Sequence, residues 1–416
     1  MALAGHAPPP AASGVAYLSL SRLVSLILWL AIFSGSFVLI EPAPYEIFFV
    51  LLFLLLLIRG FRLPSISALP IGCLALWVAS GFFSVAVNGR GTEGTVYVAI
   101  SAFLALTTIV IASLVAESPE RHLRTIRRAY MATALCSALA AILGYFHLVP
   151  GADLLVLYSR AKAFFKDPNV FSPFLILPAL LLFQDALRSS QARFLRSCTL
   201  LVILLCAILL SFSRASWGHL ILSGAIMTFL MFAGSTSNRL RLRIVAVGVF
   251  GLCAAAASIA ALVAIPEVGD LFMQRLSLTQ DYDAGETGRF GTQLRSLPLL
   301  LEAPFGFGPY GFGERLGQDP HNVYLNGFAS YGWVGGFAYL IFVIATCVTG
   351  ARYVLMASPW HGFFMAVFAT YVGVSLEGLV IDTDHWRHYF LLAGLIWGLS
   401  AATRRYRRNA RGREIS

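Results

Sequence analysis

The sequence predicts an all-α polytopic membrane protein of about twelve transmembrane helices, with one large loop between the ninth and the tenth. Three observations predict it. First, hydrophobic residues make up 58% of the 416 and charged residues only 12%, with a mean hydropathy of +0.78. That balance excludes a soluble domain of this length. Second, apolar runs recur at 18–40, 44–58, 66–87, 95–116, 129–148, 169–184, 195–211, 215–233, 244–265, 322–350, 361–380 and 386–402. A helical span needs about 20 residues, so the runs 44–58 and 169–184 borrow flanking residues. Third, the connecting segments alternate in charge. No small-residue cleavage site follows the first run, so that span is expected to be retained.

The alternation orients the spans. Arg59 and Arg62, then Arg121, Arg124, Arg127 and Arg128, fall in alternate loops. So do Arg188, Arg193 and Arg196, then Arg239, Arg241 and Arg243, and a final cluster runs from Arg404 to Arg413. The positive-inside rule makes that side cytoplasmic. Acids gather in the other loops, at Glu41, Glu46, Glu93, Asp153 and Asp167, through Glu267 to Asp319, and at Asp382 and Asp384. Both termini are then cytoplasmic. Residues 1–402 form one transmembrane domain with the loop 266–320 inserted, and 403–416 form a basic cytoplasmic tail held against anionic lipid. The formal net charge of +10 is spread over short loops, which excludes a nucleic-acid partner. The six cysteines lie inside apolar runs without metal-ligand spacing, so neither a disulfide framework nor a metal site is expected.

Cations on the acidic side break the rule and are therefore informative. Arg160, Lys162 and Lys166 lie in the loop 149–168, and the two lysines are the only ones in the chain. Arg214 sits in a tight turn, Ser211-Phe-Ser213-Arg214, between two spans. Arg289 opens a stretch in the long loop where Arg289, Gln293 and Ser296 share one helical face and Phe290, Leu294, Leu297 and Leu301 another. This predicts an amphipathic helix lying on the bilayer. An interfacial Arg alone can simply snorkel to headgroups. Three such sites together describe a cationic pocket suited to a pyrophosphate-linked lipid, because guanidinium pairs with phosphate bidentately. The long loop leads into Asp319-Pro320-His321-Asn322. Asp319 can cap the following helix and Pro320 suits its first turn. His321 then faces the positive end of a helix dipole, which disfavours imidazolium and keeps the ring able to accept a proton.

Other patterns carry less. Gly306-Phe-Gly308-Pro-Tyr-Gly311 mimics a dinucleotide fingerprint, but no strand precedes it and a proline interrupts it. It reads as a flexible lead-in to His321, suited to gating. Asp281 and Asp283, with Glu286, have carboxylate spacing that a metal could use, but in so acidic a loop solvated charge is the better reading. Glu377 near the end of the eleventh span is an intramembrane acid and so a functional candidate. His219, one turn into the eighth span, reads as a hydrogen-bond donor to a neighbouring helix.

With these residues in hand, the chain resembles the O-antigen ligase family, within the O-antigen ligase and polymerase superfamily of bacterial inner-membrane glycosyltransferases. The matching pieces are Asp167-Pro168-Asn169, Ser211-Phe-Ser213-Arg214, Arg289 in the large loop, Pro304-Phe-Gly306-Phe-Gly308, and Pro320-His321-Asn322 with Gly332, Gly335 and Gly336 downstream. They cover roughly residues 160–340. The resemblance implies a GT-C-like fold and an inverting, metal-independent transfer in the periplasm, with no cofactor. The donor it implies is an undecaprenyl-pyrophosphate-linked glycan, the acceptor is the lipid A-core oligosaccharide, and membrane lipids surround both. It also implies that Arg289 and His321 are the essential pair, with Arg214 assisting. His321 then serves as general base, and Arg160, Lys162, Lys166, Arg214 and Arg289 hold the pyrophosphate. Asp167, Asn169, Asn322, Tyr324 and Glu377 are candidates for supporting that site.

Two departures bear on the choice within the superfamily. Polymerases carry two large outer loops, each with an Arg followed by ten residues and a glycine. Here Phe171, Ala225 and Leu300 stand at the positions eleven after Arg160, Arg214 and Arg289. Protein-glycosylating relatives carry a further soluble region after the last spans, where this chain has an arginine tail. Both favour the ligase over the polymerase or protein O-oligosaccharyltransferase. A lipid-linked glycan transporter would need polar groups continuing through the membrane, and apart from Glu377 and His219 the spans are poor in them.

Overall fold

The structure is a computed structural model, and it describes residues 12–40, 42–188, 191–235, 237–276, 285 and 288–415. The first helices are α1 (Ala12–Phe33), α2 (Pro44–Arg59), α3 (Ala68–Val87), α4 (Gly91–Glu117) and α5 (Pro119–Tyr145). A two-residue ribbon follows, β1 (Val156–Leu157) paired antiparallel with β2 (Arg160–Ala161), the one exception to all-α among the described residues. Then come α6 (Pro168–Phe174), α7 (Ile176–Arg188), α8 (Gln191–Leu210), α9 (Arg214–Ala233) and α10 (Asn238–Val263). The large loop holds α11 (Pro266–Leu276), α12 (Arg289–Leu301) and α13 (Gly311–Leu316). The chain ends with α14 (Val323–Val354), α15 (His361–Glu377) and α16 (Arg387–Ile415).

Every apolar run named above falls on a helix, and the chain is an all-α polytopic membrane protein. Among the described residues seven spans are long and apolar enough to cross a membrane: α3, α4, α5, α6 with α7, α8, α9 and α14. The run 169–184 is split because Pro178 has no N–H to bond the carbonyl of Phe174, and the break falls there. The arginine tail is helical, since α16 continues without interruption through Arg404–Arg411. Asp281, Asp283 and Glu286 lie outside the described residues, as does Glu41.

Lipid tails are as apolar as a leucine, so helices in a membrane associate through close packing and polar contacts. α16 lies along α4. It approaches closely because Gly394 and Gly398 leave no room for a side chain: an added Cβ would lie 2.7 Å from the Thr108 carbonyl and 2.9 Å from that of Ala112. Trp77 of α3 packs against Tyr331 and Tyr339 of α14 and Phe390 of α16, with ring centroids 4.8, 5.3 and 5.9 Å apart.

α14 is broken at Gly332, where φ is 69° and ψ −176°, a conformation open in practice only to glycine. The break receives the segment Pro304–Gly308. Phe307 N–H donates to the Ala329 carbonyl at 2.6 Å, Trp333 N–H to Pro304 at 2.9 Å, and Trp333 Nε1 to Leu300 at 2.8 Å. Ser84 Oγ donates to Phe305 at 2.7 Å. Gly306, with φ 70°, fits against the break, where a Cβ would meet the Ala329 carbonyl at 2.5 Å. The expected flexible lead-in is therefore corrected. Residues Gly306–Pro309 are buried and bonded, because the unpaired backbone of the broken helix needs partners.

Gly332→Ala should lose the special backbone conformation and press a methyl 2.8 Å from the Pro304 carbonyl. We expect it to destabilise the fold by about 1–3 kcal/mol. Thermal unfolding in nanodiscs reads this, and an unchanged midpoint would contradict the interlock.

Candidate functional site

At one end of the bundle a cavity of about 590 Å³ is lined by Arg160, Asp167, Asn169, Arg214, Arg289, His321 and Asp382, with Phe212, Phe290 and Trp386 among its apolar walls. Five separate segments contribute, and each is held by local chemistry. Tyr158 and Ser159, both with positive φ, form the two-residue turn that closes the ribbon and starts β2 at Arg160. The Arg160 Nε then donates to the Ser211 carbonyl at 2.8 Å and its Nη2 to Asn169 Oδ1 at 2.7 Å. Asp167 caps α6, accepting from Asn169 N–H at 2.6 Å, with Pro168 in the first turn. One arginine thus ties the loop 146–167, the start of α6 and the α8–α9 turn together.

Arg214 is the first residue of α9, directly after the turn at Phe212 and Ser213. Ser216 Oγ donates to Ser213 Oγ at 2.9 Å and reaches Glu377 Oε1 at 3.2 Å. Arg289 opens α12 and donates to the Val380 carbonyl at 3.3 Å. α12 is amphipathic as expected: Phe290, Leu294, Leu297 and Leu301 are exposed, and Ser296 is buried. Its Gln293 amide donates to the Pro320 carbonyl at 2.9 Å and the His321 carbonyl at 3.4 Å, which positions the histidine.

The expected cap is corrected. α14 starts at Val323, and Asn322, not Asp319, caps it, accepting from Tyr324 and Leu325 N–H at 3.1 and 3.2 Å. His321 stands one residue before the cap with φ 44°, a strained conformation for a non-glycine residue. Two expected cations are also absent from the cavity lining. Lys162 is buried with its Nζ turned to the Phe165 carbonyl at 3.2 Å, and burial lowers its pKa. Lys166 is exposed beyond the wall. The turns of the loop direct Arg160 inward and the lysines elsewhere. Tyr324 likewise points away, donating to the Ser375 carbonyl at 2.6 Å.

Glu377 does not line the cavity. It lies inside the bundle, with Oε2 2.8 Å from His219 Nδ1, while His219 Nε2 is 3.0 Å from the Thr370 carbonyl. This pair joins α9, which starts at Arg214, to α15, which leads into the loop bearing Asp382. His219 thus does bond a neighbouring helix.

The residue that sequence reasoning passed over is Asp382, one of a row of outer acids there. Burial, then the nearby Asp384 and Asp319 carboxyls, push its pKa up to about 8. Two residues on, burial alone would raise Asp384, but His385 and the Tyr97 hydroxyl bond it and hold it low. The available signal was the dense titratable run Asp382-Thr-Asp384-His385 between the last two spans. The cavity therefore sets three guanidinium groups against two carboxyls, one of them largely protonated at neutral pH. Such a site favours a multivalent anion, and bidentate guanidinium fits phosphate.

Next to it, sharing Phe290, runs an apolar groove of about 590 Å³ between α12, α14 and α15, lined by Leu294, Leu297, Leu325, Val343 and Leu379. Among the described residues no group of three His, Cys, Asp or Glu is placed to hold a metal ion.

The protonation state of Asp382 can be read directly. We expect a protonated-carboxyl infrared band that disappears with a midpoint near pH 8 and is missing from Asp382→Asn. A midpoint near the usual value of about 4 would contradict the burial argument.

Comparison with known proteins gives one finding. Residues 199–340 match the family model described as O-antigen ligase. No curated protein matches the chain. The matched segment contains Arg214, Arg289 and His321, whereas Arg160, Asp167, Asn169 and Asp382 come to the cavity from outside it. The match supports membership of the O-antigen ligase family, whose members are glycosyltransferase-like enzymes.

Proposed function

We propose that this protein transfers a glycan from undecaprenyl pyrophosphate to the lipid A-core oligosaccharide, with inversion and without a metal ion. The observation that supports it is the convergence of Arg160, Arg214, Arg289 and His321 on one cavity that adjoins an apolar groove. The pyrophosphate sits among the three arginines and the polyprenyl chain lies along α12 in the groove. His321, just before the α14 N-terminus, takes the proton from the acceptor hydroxyl as its oxygen attacks the anomeric carbon. The bond from that carbon to the pyrophosphate breaks, and undecaprenyl pyrophosphate leaves with the electron pair. The arginines stabilise the charge that the leaving group gains, the role a divalent cation plays elsewhere. Asp382, protonated in the resting cavity, hydrogen-bonds the acceptor sugar without setting a negative charge against the phosphates.

The cavity faces the periplasm of an inner-membrane protein on this reading. At the other end of α4 and α16 a second basic cluster, Arg62, Arg404, Arg405 and Arg408, lines a hollow of about 390 Å³ on the side assigned to the cytoplasm. Its charge suits anionic headgroups. One cationic cavity near His321 fits one lipid pyrophosphate, which favours the ligase over a polymerase that holds two.

Purified protein with lipid-linked glycan and lipid A-core tests the reading, with ligated product read on a gel. His321→Ala should lower the rate about 100-fold or more at unchanged expression. Near-normal product would remove His321 as the base. A lipid A-core that accepts nothing, beside a lengthening glycan on the carrier, would make the protein a polymerase.

Arg214→Ala and Arg289→Ala should each cripple transfer, and lysine should restore only part of it, because a point charge does not reproduce the guanidinium fork. Full rescue at both positions would reduce their role to general electrostatics. EDTA should leave the rate unchanged. A loss reversed by magnesium would instead draw in Asp281, Asp283 and Glu286.

A further inference from the structure

Three segments wall the hollow of about 390 Å³ at the far end of α4 and α16. The loop between α2 and α3 supplies Arg62 and Leu63, and the end of α4 supplies Ser113 and Glu117. Ala401, Arg404, Arg405 and Arg408 come from α16, spaced i, i+3, i+4 and i+7 and therefore on one face. Ser113 Oγ donates to the Arg62 carbonyl at 2.6 Å, which holds the loop against α4 so that Arg62 meets that face across the hollow.

The guanidinium groups keep their charge. Glu117 is the only acid in the wall, and it pairs with Arg59, which stands outside. Arg405 donates to the Glu117 carbonyl at 3.2 Å, a neutral acceptor. Among the described residues no carboxylate pairs with Arg62, Arg404 or Arg408. Like charges repel, so four arginines brought together from two segments mark a place for an anion. The tail also carries Arg407 and Arg411, but these do not line the hollow.

The wall limits what the anion can be. Guanidinium pairs with phosphate bidentately. Leu63, which is half exposed, Ile66 and Ala116 give the hollow an apolar side, and the exposed Leu57 and Ile58 lead up to it along α2. A free phosphate would leave that side bare, whereas a phospholipid covers it with an acyl chain. A headgroup with an ammonium would return a positive charge to the cluster. A net-anionic headgroup such as phosphatidylglycerol therefore fits, and phosphatidylethanolamine does not.

We propose that this hollow is a discrete site for one anionic phospholipid, its phosphate held between Arg62 and the arginine face of α16 and its acyl chain along Leu63. This differs from a general attraction of the tail to a charged membrane, in which every arginine counts alike. The site shares no residue with the cavity at His321, so it stands or falls apart from the glycosyl-transfer reading.

Native mass spectrometry of the full chain released from phosphatidylglycerol nanodiscs counts the lipid retained. Arg62→Gln combined with Arg404→Gln should lose one phosphatidylglycerol relative to the wild type, since both arginines hold the phosphate. Arg407→Gln combined with Arg411→Gln removes the same charge from the tail and should lose none. All four side chains are exposed, so neither variant threatens the fold. From phosphatidylethanolamine nanodiscs the wild type and the first variant should retain equal lipid. Unchanged phosphatidylglycerol in the first variant overturns the proposal. An equal loss in both variants overturns it in favour of diffuse attraction, and a first-variant loss of phosphatidylethanolamine overturns the charge argument and the site with it. Glycerol phosphate, offered without acyl chains at the same concentration and retained as well as the lipid, would make the hollow a site for soluble phosphate and also overturn it.

Discussion

Three arginines pointing into one cavity repel one another, and the site depends on how that repulsion is borne. The fold fixes two of them in part through neutral acceptors. Arg160 donates to the Ser211 carbonyl and the Asn169 amide, and Arg289 to the Val380 carbonyl. A carbonyl fixes a guanidinium without cancelling its charge, whereas a paired carboxylate would do both. Of the two acids in the wall, Asp167 caps α6, and Asp382 is pushed toward its protonated form by burial and by its acidic neighbours. The bonds to neutral acceptors hold the guanidinium groups in place where an anion could meet them.

The helices were legible because hydropathy works on whole segments: the apolar runs fall on helices, one of them split in two, and among the described residues seven spans are long and apolar enough to cross a membrane. Arg214, Arg289 and His321 were legible because each was an anomaly where it stood: a cation on the acidic side, or an imidazole before a helix. The same rule admitted Lys162 and Lys166, since it reads which loop a charge is in and cannot read where a side chain turns. The helix cap was misplaced because Asp319 and Asn322 are both good caps. Only geometry shows that the Asn322 amide reaches two N–H groups while Pro320 and His321 stay outside the helix. Asp382 was one acid among many, and its importance comes from burial beside residues distant in sequence. The pairing of His219 with Glu377 spans 158 positions and was invisible for the same reason.

That pair explains why an intramembrane acid exists away from the cavity. An ionisable side chain among apolar helices is costly unless it is bonded. Glu377 is bonded by His219 and Ser216, and both sit within the first two turns of α9. Their positions fix the start of that helix, and so the base of Arg214, against α15. The aromatic cluster around Trp77 ties α3, α14 and α16 together in the same way by packing.

The apolar groove touches the cationic cavity at Phe290. On the proposed function the polyprenyl chain enters and leaves sideways along the groove and never quits the bilayer. Release of the spent carrier is then a step within the plane of the membrane, set by how much carrier the surrounding lipid already holds.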